Sequence, residues 1–188
     1  MTDVKEHPQA VVLFADGFEE VEAVTPVDFL RRAGITTHMV GVKDRDVVGS
    51  RGMRMTTDYT IDELDSDVAV VILPGGIPGA TNLSESPEVQ DLVKKQFESG
   101  RLVAAICAAP AVVLGRHGWL EQRRFTCAPG WEKEVQDGFF SEDRVVVHTN
   151  LITSRGAGTA AEFACEIIRS LIGDEAARHV HQSTLQKD

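Results

Sequence analysis

At 188 residues and 20.5 kDa, with 43% hydrophobic and 26% charged residues, the chain suits one sizeable core and lies far from the polar composition that keeps chains disordered. Its 19 Lys+Arg against 29 Asp+Glu, a formal charge of -10, repel a phosphate backbone and exclude nucleic-acid binding through a basic face. Three cysteines, Cys107, Cys127 and Cys165, form an odd set without CxxC spacing, so neither a disulfide framework nor a metal site is expected.

Residues 1–188 read as a single domain. The polar start, Met1 to His7, lacks the apolar core of a signal peptide, which gives the expectation of a cytoplasmic protein. Ala10 to Ala15 forms a buried strand that stops at Asp16-Gly17. Val21, Val24, Val27 and Leu30 then recur at helical spacing up to the stop at Ala33-Gly34, with Pro26 placed to kink or restart the helix. Thr36 to Val42 is a second strand, and Lys43 to Asp58 is a polar stretch with short antiparallel excursions around Gly49 and Gly52. Asp67 to Leu73 is an unbroken apolar run, the mark of a strand buried on both faces. A loop follows Pro74-Gly75-Gly76.

Ser86-Pro87 opens a helix that stops at Gly100. Leu102 to Ile106 is another buried strand, running without a turn dipeptide into Cys107 and a helix over Ala108 to Leu114. The mostly apolar run from Leu102 to Leu114 is shorter than the roughly 20 residues that span a bilayer, so no membrane segment is expected. Arg144 to His148 and Leu151 to Ser154 are strands joined at Thr149-Asn150. Ala160, Phe163, Ala164, Ile167, Ile168 and Leu171 define an amphipathic helix, and Gly173 to His181 one more short helix. Strands alternating with helices predict a parallel α/β sheet.

In such sheets, sites gather outside the carboxyl ends of the strands. Ala104-Ala105-Ile106-Cys107-Ala108-Ala109 has the build of a nucleophile elbow, whose small flanking residues let the backbone turn sharply. A thiol there, at a helix start, is expected to have a lowered pKa; the plainer alternative is a small packed hydrophobe. Gly75 and Gly76 offer backbone N–H groups for an oxyanion pocket together with Ala108, or simply make a turn. Glu19, Glu20 and Glu22 crowd the start of the first helix, Glu19 and Glu22 on one face and Glu20 pointing elsewhere. Such acids are either a solvated first turn or a proton relay. No histidine is placed beside the elbow: His7, His38, His117, His148, His179 and His181 all read as surface or packing residues. Cys127 and Cys165 read as packing residues. Arg51 and Arg155-Gly156 lie in loops that suit an anion or plain solvent.

Several stretches together resemble the ThiJ/PfpI superfamily, in the branch of the Parkinsonism-associated deglycase and the bacterial YajL-like proteins. They are Ala15 to Asp28, Leu30 to Gly34, Leu73-Pro74-Gly75-Gly76, Asn82 to Ser86, Ala104 to Pro110 and Thr153-Ser154-Arg155-Gly156. Their order and separations fit from about residue 9 to residue 172. The resemblance implies a flavodoxin-like three-layer sandwich with a mostly parallel sheet, assembled as a homodimer. It implies Cys107 as elbow nucleophile, Glu22 as the carboxyl hydrogen-bonded to it, and Gly76 and Ala108 as the oxyanion-binding amides. Glu19 matches a second pocket-facing acid, and Arg51 an arginine that approaches the pocket across the dimer interface.

The implied activity is a cysteine-dependent, cofactor-free deglycase or glyoxalase acting on small reactive aldehydes or glycated protein. The alternative is an oxidative-stress sensor or chaperone working through oxidation of Cys107. Peptidase-like members place a histidine directly after the cysteine, where this chain has Ala108, which counts against proteolysis. The histidine that faces the nucleophile in the human-type branch is matched here by Ala128, leaving acid–base work to Glu22.

Overall fold

The computed structural model of the chain describes residues 9–64 and 67–187, so the polar start, Met1 to His7, lies outside the described residues. A seven-stranded sheet forms the middle layer. Its strands are β1 (Gln9–Phe14), β2 (Thr36–Gly41), β5 (Tyr59–Thr60), β6 (Val70–Leu73), β7 (Leu102–Ile106), β10 (Val145–His148) and β11 (Leu151–Ser154), in the order β10-β11-β7-β6-β1-β2-β5. All neighbours pair in parallel except β10 with β11. Counting only the five long parallel strands gives 2-1-3-4-5, the flavodoxin-like order. The central strands β6 and β7 are buried at every residue, as their unbroken apolar runs require.

Side chains alternate across the sheet with a period of two. Ala10, Val12, Phe14, Ile72, Ala104 and Ile106 pack on one side with helices α1 (Glu20–Arg32) and α4 (Ala160–Ile172), beside α5 (Asp174–Ser183). Val11, Leu13, Val71, Leu73, Val103 and Ala105 pack on the other side with α2 (Gly79–Glu85), α3 (Pro87–Glu98) and the Pro110–Leu114 turn. The result is the three-layer α/β sandwich. Glu19 caps α1, accepting from the Glu22 N–H at 2.8 Å. The helix runs through Pro26 as one element.

Two expectations are corrected. Gly79–Glu85, taken as loop, is a two-turn helix; only Ala80 and Leu83 are its buried apolar residues, too few to show a helical period. The segment after the elbow, expected as an ordinary helix, is a π-type turn over Pro110–Leu114 followed by a 3₁₀ turn over Gly115–His117. Pro110, which brings no N–H, stands at its start.

The polar stretch folds as expected into an antiparallel hairpin, β3 (Asp46–Val48) with β4 (Arg54–Thr56), closed by Gly49 N–H to Met53 O at 2.8 Å. A small parallel pair, β8 (Arg124–Phe125) and β9 (Phe139–Phe140), brings the Thr126–Ala128 segment beside the carboxyl end of β7. No helix among the described residues is long and apolar enough to cross a membrane.

Candidate active site

β7 ends at Ile106, and Cys107 turns the chain with φ of 64°, a left-handed conformation that costs a non-glycine residue roughly 1–3 kcal/mol. The surroundings enforce it. The Cys107 N–H donates to Ser154 O at 2.9 Å, and the Cys107 carbonyl accepts from Ala128 N–H at 2.8 Å. With its backbone held on both sides, the side chain projects from the carboxyl edge of the sheet as the elbow motif predicts. Cys107 is half-buried, whereas Cys127 and Cys165 are 0% and 5% exposed.

Glu22, on the first turn of α1, is 1% exposed. Its carboxyl is hydrogen-bonded to the Cys107 thiol, to the Ala157 N–H, and to the Gly75 N–H at 3.0 Å. The Sγ atom in turn accepts from the Ala108 and Gly76 N–H groups. Gly75 is a glycine by necessity: a Cβ there would stand 2.6 Å from both Cys107 Cβ and Glu22 Oε2. Gly76 has φ of 86° and sits against the Gly17–Glu19 backbone, so a Cβ would meet Glu19 N at 2.5 Å.

The thiol and the carboxyl share a proton. Burial, with the neighbouring charge of Glu19, raises Glu22 to about 7 against the hydrogen bonds from Cys107 and the backbone. Burial also pushes Cys107 up to about 12 while Glu22 is ionised, because the anion beside it opposes a second charge. This corrects the expectation of a lowered thiol pKa. The helix beyond the elbow is short, and desolvation and Glu22 outweigh what its N–H groups supply. The two groups titrate as a pair: two protons below about 7, one proton above it. In the one-proton state the thiol holds the proton beside ionised Glu22; its transfer to the carboxyl gives a protonated Glu22 donating to the thiolate, the nucleophilic arrangement.

Glu19 is half-buried, and its carboxylate accepts from the Glu22 N–H at 2.8 Å. Arg51 lies in the hairpin turn with an exposed side chain, and within the chain its backbone N–H is what reaches α1. Arg155 donates from its guanidinium to Glu142 O at 3.1 Å. Ala128 abuts the elbow through its backbone, its N–H donating to Cys107 O at 2.8 Å. His117 bonds Ser84, His38 meets the Tyr59 ring edge to face, and His148 pairs with Leu151 at the end of β11 opposite the elbow.

Sequence reasoning missed Glu20. It is 4% exposed and accepts from Arg51 N–H at 2.6 Å, Met53 N–H at 3.4 Å and Ser50 Oγ at 3.2 Å. Burial works against its charge, but these bonds prevail and hold the carboxyl below its ordinary value. Gly49 leaves the space for it: a Cβ would lie 2.3 Å from Glu20 Oε1. The only signal for this clamp was an acid in the first turn opposite a glycine-rich polar turn. The Ala157 N–H on Glu22 carried no signal at all, since backbone donors are not written in side-chain types.

Comparison with known proteins gives the same arrangement an ancestry. The profile of the DJ-1/PfpI family matches residues 8–170. The Parkinson disease protein 7 homolog of Danio rerio is 40% identical over 186 residues, covering 96% of this chain and 98% of that protein. The glutathione-independent glyoxalase DJR-1.2 of Caenorhabditis elegans is 34% identical over 168 residues, 88% of this chain and 89% of that one. Protein DJ-1 homolog B of Arabidopsis thaliana is longer, and the chain spans 41% of its length. The crystal structure of Drosophila melanogaster DJ-1beta superposes with a TM-score of 0.93 at 38% identity, covering 97% of this chain and 100% of that one. With its sheet order, its strained cysteine elbow and a family match over most of its length, the chain belongs to the DJ-1/PfpI family.

Proposed function

We propose that the protein is a cysteine-dependent enzyme of the glyoxalase or deglycase type, acting on reactive dicarbonyls or their early adducts on proteins. The observation that carries this reading is Cys107 Sγ held at a strained elbow between the Glu22 carboxyl and the Gly76 and Ala108 amides. The family relation to a protein named as a glutathione-independent glyoxalase supports it.

In this mechanism the thiolate adds to the aldehyde carbon, forming the C–S bond while the C=O electron pair moves to oxygen. Glu22 delivers its proton to that oxygen, and the two amides lie where the developing negative charge needs donors. The resulting Glu22 carboxylate then takes the carbon-bound proton of the hemithioacetal and returns it to the neighbouring carbon, while the hydroxyl proton passes to the neighbouring carbonyl oxygen, giving a thioester. Water hydrolyses the thioester and restores the thiol, so methylglyoxal and water become lactate. Ala128 brings no proton carrier, and Glu22 performs both transfers. The chemistry proposed here draws on protein groups alone. Methylglyoxal turnover should be abolished in Cys107→Ser; equal rates in variant and wild type would sink the proposal.

A second reading is supported by the contrast in burial among the three thiols: an oxidative-stress sensor in which peroxide converts Cys107 to a sulfinate held by the same amides. It predicts selective oxidation of Cys107 with Cys127 and Cys165 spared. Either role fits a reducing, cytoplasmic setting. A homodimer is also proposed, supported by the exposed Val21 and Val24 of α1 beside exposed Met53 and Arg51 of the hairpin turn. Light scattering should give twice the chain mass.

A further inference from the structure

We infer that Gly156 determines which substrates reach Cys107, because its missing side chain is the open space in which the group attached to the reacting carbon must sit. The inference rests on the reading of Cys107 and Glu22 as the reacting pair. Gly156 follows β11 and is half-buried, with the chain turning outward at exposed Ala157 and Gly158. A Cβ at Gly156 would stand 3.6 Å from Glu22 Oε1 and 4.0 Å from Cys107 Sγ. Both are ordinary contact distances, and among the described residues no other atom outside Arg155–Ala157 lies within 4 Å of that point. A methyl group there would touch both reacting side chains and no other side chain distant in sequence.

Other glycines around the site differ in kind. Gly75 and Gly76 exclude a side chain by collision with the backbone or with the reacting groups themselves. Gly156 excludes none: its φ of 161° and ψ of -170° are extended backbone open to any residue. Its N–H donates to Thr159 Oγ1 at 3.1 Å, Thr159 Oγ1 donates back to Gly156 O at 2.8 Å, and Ser154 Oγ lies 2.6 Å from Thr159 Oγ1. The wall is therefore fixed in place by bonds that a Cβ leaves intact. Fold demands do not call for glycine at this position, whereas access to the site does.

The geometry converts into selectivity. The carbonyl carbon must come within about 3–3.5 Å of Sγ while its oxygen meets a Glu22 oxygen. A substrate atom beyond that carbon then points into the volume beside Gly156. Filling part of it with a methyl leaves the smallest aldehyde least affected and penalises each added substituent; crowding of this size is worth about tenfold or more in rate per group.

Wild type, Gly156→Ala and Gly158→Ala should be compared with glyoxal, methylglyoxal and phenylglyoxal as substrates. A Cβ at Gly158 meets nothing within 4 Å, so that variant should follow wild type. The ratio of wild-type to Gly156→Ala kcat/KM should rise at least about tenfold from glyoxal to phenylglyoxal. A ratio that is the same for all three overturns the inference. Failure of Gly156→Ala to fold, read as a collapsed Tm, also overturns it, since the Cβ would then not be free of contacts. Should wild type turn over none of the three, the enzymatic reading fails separately. The inference is then decided by alkylation of Cys107 with iodoacetamide and N-phenyl-iodoacetamide, on a Cys107→Ser background correction. A wild-type to variant ratio that grows with reagent size supports it, and a constant ratio overturns it.

Discussion

Replacing Glu22 with glutamine should change how stability depends on pH, by an amount the site geometry sets. In the folded chain the carboxyl is buried and titrates at about 7 instead of the ordinary 4.5. Its folded form therefore holds a proton that the unfolded chain has already released, and stability falls wherever the native state binds more protons. The contribution is fully present below pH 4.5 and is lost as pH rises through about 7. The gap between the two values amounts to about 3 kcal/mol at 1.36 kcal/mol per pH unit. A second loss begins above the ordinary thiol value of 9.0, because Cys107 keeps its proton to about 12 in the field of ionised Glu22; measurements should stop near pH 8 to keep the two apart. Urea unfolding of wild type and Glu22→Gln between pH 4.5 and 8 gives the test. Wild-type stability should fall relative to the variant by about 3 kcal/mol across that window. Parallel curves for the two proteins would refute the coupled-proton account of the site.

Glu19→Gln keeps an oxygen to cap α1 but removes the charge that raises Glu22, so the midpoint of Cys107 alkylation against pH should move to lower pH; an unchanged midpoint would show that Glu19 does not act on the pair. Gly75→Ala drives a methyl within 2.6 Å of Cys107 Cβ and Glu22 Oε2 and should cost about 2–3 kcal/mol in urea unfolding, with wild-type stability as the contrary result. Mild hydrogen peroxide followed by mass spectrometry should place the sulfinate on Cys107 alone. Equal oxidation of Cys127 and Cys165 would remove the support that burial gives to the sensing role.

Much of this was legible in the amino-acid order. The apolar runs of β6 and β7, the small residues around Cys107 and the Thr153–Gly156 stretch fix the sheet and the elbow because each is a local property of the backbone. What stayed hidden depends on partners distant in sequence. Glu20 looks like any first-turn acid until Ser50, Arg51 and Met53, some thirty residues later, close around it. The thiol pKa was judged from a helix start, whereas burial and the Glu22 carboxyl decide it. The short α2 went unseen because its two turns bury too little apolar surface to imprint a period.

The most direct test of the central claim, that Cys107 and Glu22 form one catalytic unit, is kcat/KM for methylglyoxal from pH 5 to 9 in wild type, Glu22→Gln and Cys107→Ser. Turnover in wild type should rise as the pair loses its first proton near pH 7, lose that rise in Glu22→Gln, and vanish in Cys107→Ser. A Cys107→Ser protein that keeps the wild-type rate, or a Glu22→Gln profile that superposes on the wild type, would contradict it.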